Sequence, residues 1–401
     1  MVCYRKWRRE DFFGCGYIVK SSQSWYGISR LHEIVGDTVQ KGIKFRIYPN
    51  KQQKNLIDST FGCCRLVYNK GLAMRNEAFQ NGEKAGYSQT SLMLTGLKKQ
   101  DDFSFLKEVD AVALQQSLRD LDRAFQNYFQ KRAKEPCFKC KHDNRQSYRT
   151  MNQNDKIRIV GKYIRLPKLG FVKVRQSMNV SHINFATVER TPTGKYFVVL
   201  NVDFTPEFRQ NAGGIVGIDV GLKEFYFDSN GMVVHNPKYL EHSLRKLVRE
   251  QRRLSRKQKG SNNRKKQRVR VAGIHEKVMN QRNDFLHKQS TILVSENQTI
   301  CIEDLCVKGM VRNHNLARAI LSASWATFFT MLEYKAGWYG SRVIRVPTMY
   351  PSSQTCSCCG YKNSLVKDLK IRKWECPVCH TMHDRDMNAS INILNKGLSI
   401  A

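Results

Sequence analysis

Apolar and polar residues first alternate clearly at Lys44-Phe-Arg-Ile-Tyr, a period of two that predicts a strand stopped by Pro49. Asn50 then stands where a helix N-cap belongs. From 51 to about 132 the period is helical: Leu56, Phe61, Leu66 and Val67 mark one apolar stretch, and Val112, Leu114, Leu118, Leu121 and Phe125 another. Turn signals at Gly82 and Gly86 divide them. Short β-rich runs fill 156–204, among them Phe171-Val-Lys-Val and Tyr196-Phe-Val-Val-Leu, and they predict a small antiparallel sheet or barrel. The strand at Lys44 fits the same sheet, with the helices inserted. Asn211-Ala-Gly-Gly reads as a linker. Beyond it lie a buried strand ending near Asp219, a hairpin with an Asn-Gly corner, and two helices broken at Gly260-Ser-Asn-Asn. A second buried strand ends at Glu303, a long amphipathic helix carries Trp325, Phe328, Phe329, Leu332 and Trp338, and a last helix is expected from Asn388. No internal repeat is visible.

Composition narrows the partners. The 401 residues, 41% hydrophobic, are enough for two or three domains with a sizeable core. Sixty-eight Lys and Arg oppose 34 Asp and Glu, a net charge of +34, which points to polyanions, with nucleic acid ahead of an anionic membrane surface. No apolar run approaches the roughly 20 residues of a spanning helix. Thirteen cysteines, an odd number that includes the adjacent Cys63-Cys64, do not resemble a secreted disulfide framework and predict a reducing cytosol. Phe12 to Val19 is apolar, but Glu10 and Asp11 precede it and no clean cleavage site follows, so a signal peptide is not expected. Residues 1–40 read as a poorly ordered extension without an independent role.

Two groups of residues carry chemistry. Cys356, Cys359, Cys376 and Cys379 have the C-x2-C…C-x2-C spacing of a closed, tetrahedral structural zinc site. Cys358 fits that knuckle poorly and reads as a bystander. Cys137-Phe-Lys-Cys140 lacks a second pair and reads as a decoy. The acids form the other group. Asp219 and Glu303 close apolar strands, and Asp384 and Asp386 compete for a third place beside the last helix. Three converging carboxylates can hold two Mg²⁺ ions for phosphodiester hydrolysis. Taken singly, each is as well explained as a turn former or a solvated acid. Residues 245–270 hold thirteen Lys or Arg and one acid, Glu250, an imbalance that phosphate neutralisation explains better than a solvated face.

Gly217-Ile-Asp-Val-Gly, Ile302-Glu-Asp-Leu, Tyr350-Pro-Ser-Ser-Gln-Thr-Cys and Asp384-Arg-Asp-Met-Asn-Ala, with Gln281-Arg-Asn-Asp-Phe-Leu-His-Lys, Glu333-Tyr-Lys-Ala and Trp338-Tyr-Gly, resemble in order the motifs of the TnpB (OrfB) family, transposon-encoded proteins similar to type V CRISPR effector nucleases. The likeness runs from about 41 to 396 and is specific in the second half. It implies an α/β multidomain fold: an RNase H-like (RuvC) nuclease domain with an inserted zinc ribbon, preceded by a small β-barrel (wedge) domain carrying an inserted helical recognition domain. The expected divisions are an extension at 1–40, the wedge at 41–50 and 133–210, recognition at 51–132, nuclease at 211–350 and 381–396, ribbon at 351–380, and a tail at 397–401.

The resemblance also implies Asp219, Glu303 and Asp386 as catalytic, Mg²⁺-binding carboxylates, Asp386 being chosen over Asp384 because it stands two places before Asn-Ala. It implies a guide RNA from the transposon end, double-strand cleavage of a DNA target beside a short flanking motif, and action in the prokaryotic cytosol or nucleoid, with a monomer expected. His380 stands where the family usually has Gly, which either strains the loop or offers zinc a rival ligand. Tyr87, Gln89, Thr90, Ser91 and Gln115 match the stretch expected to read the flanking motif. Arg252, Arg253, Arg256, Lys257, Arg264, Lys265 and Lys266 are expected to position nucleic acid through its phosphates. Two rivals differ in class: a transposase joining strands itself, for which no helix-turn-helix module is visible, and a nuclease-inactive RNA-guided DNA-binding repressor, which the intact acid trio opposes.

Overall fold

The computed structural model describes residues 39–143, 146–180, 182–206 and 212–401. Apart from residues 39 and 40, the expected N-terminal extension lies outside them. The described residues form two compact units, 39–205 and 206–401.

The first unit starts with β1 (Val39–Tyr48). Asn50 caps α1 (Lys51–Gln80): its side chain accepts from the Gln53 N–H at 2.8 Å, and Gln53 Oε1 accepts from the Asn50 N–H at 3.0 Å, a reciprocal capping box. Gln53 Nε2 also donates to the carbonyls of Leu169 and Phe171, which ties the helix start to the sheet. α2 (Tyr87–Leu97) and α3 (Ala111–Phe129) follow. Then come β2 (Gln146–Met151), β3 (Arg158–Val160), β4 (Tyr163–Leu166), β5 (Gly170–Arg175), β6 (Ile183–Arg190) and β7 (Tyr196–Phe204). The seven strands pair antiparallel in the order β2-β6-β7-β1-β5-β4-β3, so the first strand in the chain sits at the centre. The helices between β1 and β2 are therefore an excursion from one sheet. Phe45, Ile47, Val172, Val174, Val198 and Leu200 point inward at period two and share a core with Ile57, Val67, Leu114 and Leu118.

The second unit is organised differently. β8 (Gly214–Val220), β9 (Glu224–Asp228) and β10 (Val233–His235) form a meander, followed by the helices α4 (Tyr239–Ser255) and α5 (Asn262–Glu296). β11 (Asn297–Glu303), the short α6 (Val307–Met310), α7 (His314–Ala323), α8 (Trp325–Tyr339) and β12 (Arg342–Val346) come next. The strand order is β10-β9-β8-β11-β12, with β8, β11 and β12 parallel. β12 was not foreseen: Arg342-Val-Ile-Arg-Val is short and carries two arginines, yet it pairs with β11 along its length.

β13 (Lys373–Glu375) and β14 (Met382–Asp384) form a hairpin leading into α9 (Arg385–Leu398). This helix begins earlier than expected. Asp384 is its N-cap, accepting from the N–H groups of Asp386 and Met387 at 3.1 and 3.2 Å, so Asp386 lies inside the first turn and not ahead of the helix.

Both faces of the five-stranded sheet are covered, which explains its near-continuous apolar strands. Ile300 and Ile302 face a core with Leu293, Phe328 and Leu332 from α5 and α8. Cys301 faces the other way and packs with Val346 and with Ile393 of α9.

Candidate active site

Period-two geometry decides where the acids point. On β11, Cys301 faces α9, so Glu303 shares that face. On β8, a Cβ at Gly217 would meet the Ser390 carbonyl and Leu394 of α9, so Asp219, two residues on, also faces α9. Ile218 pairs with Ile302, which sets Asp219 and Glu303 side by side at the carboxyl ends of adjacent parallel strands. From β8 the chain goes to one side of the sheet and from β11 to the other, so this is the point where strand order reverses, the usual ligand position in open α/β sheets. Asp386 enters from the first turn of α9.

Electrostatics supports the same convergence. The Asp219 carboxyl is raised well above the usual range, first by burial and then by the charges of Glu303 and Asp386, with Arg385 and Arg372 pulling the other way. Burial also raises Glu303, opposed by a hydrogen bond from Ser352 Oγ to Glu303 Oε1 at 2.6 Å. Arg372 Nη1 reaches both Asp386 oxygens, at 3.0 and 3.3 Å. A donor set of three hard carboxylates, one pushed towards its neutral form by burial and then by the charges of the other two, has the chemistry that a divalent cation relieves. Asp304, the next residue in the chain, is not among the charges that act on Asp219, and it pairs with Arg345 at 2.7 Å. Asp384 is occupied as the helix cap. Ser352 and Arg372 were not singled out from the sequence. Ser352 lies within the Tyr350-Pro-Ser-Ser motif, whereas nothing local distinguishes Arg372 among 68 cations.

The sulfurs of Cys356, Cys359, Cys376 and Cys379 lie within 4.8 Å of one another and form a group able to hold one metal ion. Cys356–Cys379 and Cys359–Cys376 are 3.6 and 3.5 Å apart, close to the edge of about 3.7 Å that zinc–sulfur bonds of ~2.3 Å give a tetrahedron. Cys358 and His380 stand outside the group. His380 adopts φ +54°, so the strain anticipated there is present, and its Nδ1 contacts Glu375 at 3.1 Å. Cys137 and Cys140 are exposed and join no such group among the described residues. Asn388 and Asn392 of α9 clamp the entry to the knuckle: Asn388 bonds the Ser357 N–H and the Thr355 carbonyl, and Asn392 the carbonyls of Ser352 and Thr355. The four-cysteine group, Ser352 and the helix carrying Asp386 thus form one braced assembly.

The expected nucleic-acid residues divide. Tyr87, Gln89, Thr90 and Ser91 lie in the first turns of α2 and not in a loop. Thr90 is corrected: it is buried, its hydroxyl bonds the carbonyls of Gly86 and Tyr87, and it cannot reach a base. Gln89 Oε1 accepts from the Gly86 N–H as a helix cap, while Gln115 is exposed on α3. Arg252, Arg253, Arg256, Lys265 and Lys266 are exposed, and Lys257 is partly so. Arg264 is half-buried, and its Nη1 donates to the carbonyls of Leu254 and Lys257, which helps close the α4–α5 turn. No helix among the described residues is long and apolar enough to cross a membrane.

Comparison with known proteins agrees with this architecture. A family model described as "Probable transposase" (OrfB_IS605) matches residues 197–314, and one described as "Cas12f1-like, TNB domain" matches 325–393. A third, described as "Helix-turn-helix domain", matches 39–84, where the structure has β1 and the single helix α1. The chain is 40% identical to a candidate RNA-guided DNA endonuclease of Streptomyces pristinaespiralis, over 90% of each chain. It is 32% identical to the candidate RNA-guided DNA endonuclease InsQ of Escherichia coli strain K12, over 90% of this chain and 93% of that one. The cryo-EM structure of a Cas12f1–sgRNA–target DNA complex shares the fold, with a TM-score of 0.57 at 12% identity over 89% of this chain and 99% of that one. The chain belongs to the TnpB (OrfB) family.

Proposed function

We propose that this protein is an RNA-guided, Mg²⁺-dependent DNA endonuclease of a transposable element, making double-strand breaks beside a short flanking motif. The observation that carries the reading is that Asp219 and Glu303 end adjacent parallel strands on the face that α9 covers, with the Asp219 carboxyl raised first by burial and then by the charges of Glu303 and Asp386. Three parallel strands beside an antiparallel meander support the RNase H-like (RuvC) assignment of 211–350 and 381–396, with the ribbon at 351–380. The seven-stranded antiparallel sheet supports a wedge at 41–50 and 133–210, and its helical excursion a recognition domain at 51–132. Relatives named for RNA-guided DNA cleavage support the activity.

Bound Mg²⁺ supplies an activated water and stabilises the leaving oxygen of the phosphodiester. Asp219, Glu303 and Asp386 would hold it. Ser352 orients Glu303 by donating to its Oε1, and Arg372 fixes the Asp386 carboxylate. The four-cysteine group fits zinc in a structural role, keeping Asp386 in place through the Asn388 and Asn392 clamps. The net charge of +34 and the exposed cations of α4 and α5 suit a guide RNA and its DNA target. Gln115, Gln89, Tyr87 and Ser91 remain the residues proposed to read the flanking motif.

Asp219→Ala is expected to abolish cleavage of a guided DNA substrate, a loss of at least about 10³-fold, while RNA and DNA binding persist. Cleavage by that variant would refute the site. Loss of binding together with cleavage would show that Asp219 acts through the fold.

A further inference from the structure

α4 and α5 form a hairpin whose facing sides border an open cleft of about 410 Å³. On α4 the facing residues include Lys246, Glu250 and Arg253, and on α5 Arg270, Gly273 and Lys277, each set spaced by three or four so that it occupies one helical face. The single acid engages only one of these cations, Arg253. Glu250 is buried, with Oε2 accepting from Gln267 Nε2 at 2.7 Å and Oε1 from Arg253 at 3.0 Å, so its charge serves to latch the hairpin. No ion pair joins Lys246, Arg270 or Lys277 to an acid among the described residues.

Gly273 is the second observation. It lies in the interior of a 35-residue helix, where glycine is unfavourable, and its backbone does not require glycine. Packing does not require it either: no heavy atom lies within 4 Å of the position a Cβ would take. What its missing side chain provides is room in the cleft. The cleft is open and lined mainly by cations, and its volume exceeds what one phosphate fills.

We propose that this cleft is a nucleotide-binding site, seating one nucleotide of a bound strand with its phosphate among Lys246, Arg270 and Lys277 and its sugar and base over Gly273. It rests on the reading of the chain as an RNA-guided nuclease and adds a defined pocket to a surface that otherwise only tracks the backbone. Guide RNA and DNA share the required chemistry.

The test uses the full chain with 4-thiouridine-substituted RNA and, separately, 4-thiothymidine-substituted DNA, irradiated and mapped by mass spectrometry. Crosslinks are expected in the segments around 246–253 and 270–277 with one of the two, which identifies the strand. Gly273→Leu obstructs the cleft beside Gly273 and improves helix propensity, so those crosslinks should be lost while the melting temperature holds or rises. Lys277→Gln, which leaves the cleft open, should lower the slope of log affinity against log salt by about 1 for that strand. Full binding with crosslinks only elsewhere, undiminished crosslinks in the glycine variant, or an unchanged slope would overturn the pocket alone. Failure of the wild-type chain to bind either nucleic acid would overturn the functional reading and the pocket with it.

Discussion

Asp219 is a residue placed against its own folding preference. It stands beside Glu303 and Asp386, and burial together with their charges raises its carboxyl well above the ordinary range. Between its unfolded and folded pKa values, the folded state keeps a proton that the unfolded state has lost. Stability of the metal-free protein therefore falls as pH rises through that window. Asp219→Asn removes the penalty. In EDTA at neutral pH the variant should be more stable than wild type, with the difference vanishing near pH ~3, where wild-type Asp219 is protonated in both states. The same variant should not cleave. Thermal melts at a series of pH values check this, and a variant no more stable than wild type in EDTA would remove the electrostatic case for the site. His380 shows the same kind of tension on a smaller scale: its φ of +54° is a conformation that costs a non-glycine residue on the order of 1 kcal/mol.

At the scale of elements, the site depends on how closely α9 lies on β8. A Cβ at Gly217 would overlap the Ser390 carbonyl and come 2.6 Å from the Leu394 nitrogen, so only glycine allows the helix this near. Gly217→Ala should force α9 outward, cost about 1–3 kcal/mol of stability, and slow cleavage by moving Asp386 away from Asp219. A melting temperature and rate equal to wild type would contradict this close packing. The position also shows what was legible beforehand. Gly217-Ile-Asp-Val-Gly announced a buried strand with an acid at its end, because apolar runs and strand-end carboxylates are local signals. That Gly217 touches α9, and that Asp386 therefore meets Asp219 from far along the chain, depends on non-local packing that no window of sequence contains. β12 was hidden for a related reason: a five-residue strand with two arginines has little pattern of its own, and its pairing with β11 defines it. Thr90 is hidden for another reason, because composition gives its polarity but not whether a neighbouring carbonyl has already claimed it. The cysteine spacing was legible because four ligands to one ion leave little freedom in sequence.

The whole molecule carries a charge problem that its elements do not solve alone. Sixty-eight cations against 34 acids give +34 over 401 residues, and such self-repulsion destabilises a compact state unless counterions or a polyanion relieve it. Salt screens this repulsion, so the melting temperature of the protein freed of nucleic acid should rise as ionic strength increases from about 50 to 500 mM. A bound guide RNA should change the sign. Ligand at about 100 times its dissociation constant stabilises by roughly 2.7 kcal/mol, and that binding weakens steeply with salt because each neutralised phosphate releases a counterion. The complex should therefore start well above the free protein at low salt and descend towards it as salt rises. Melting both forms across one salt series tests whether nucleic acid is the partner this charge requires. Two parallel rising curves would mean that the cations are merely a solvated surface.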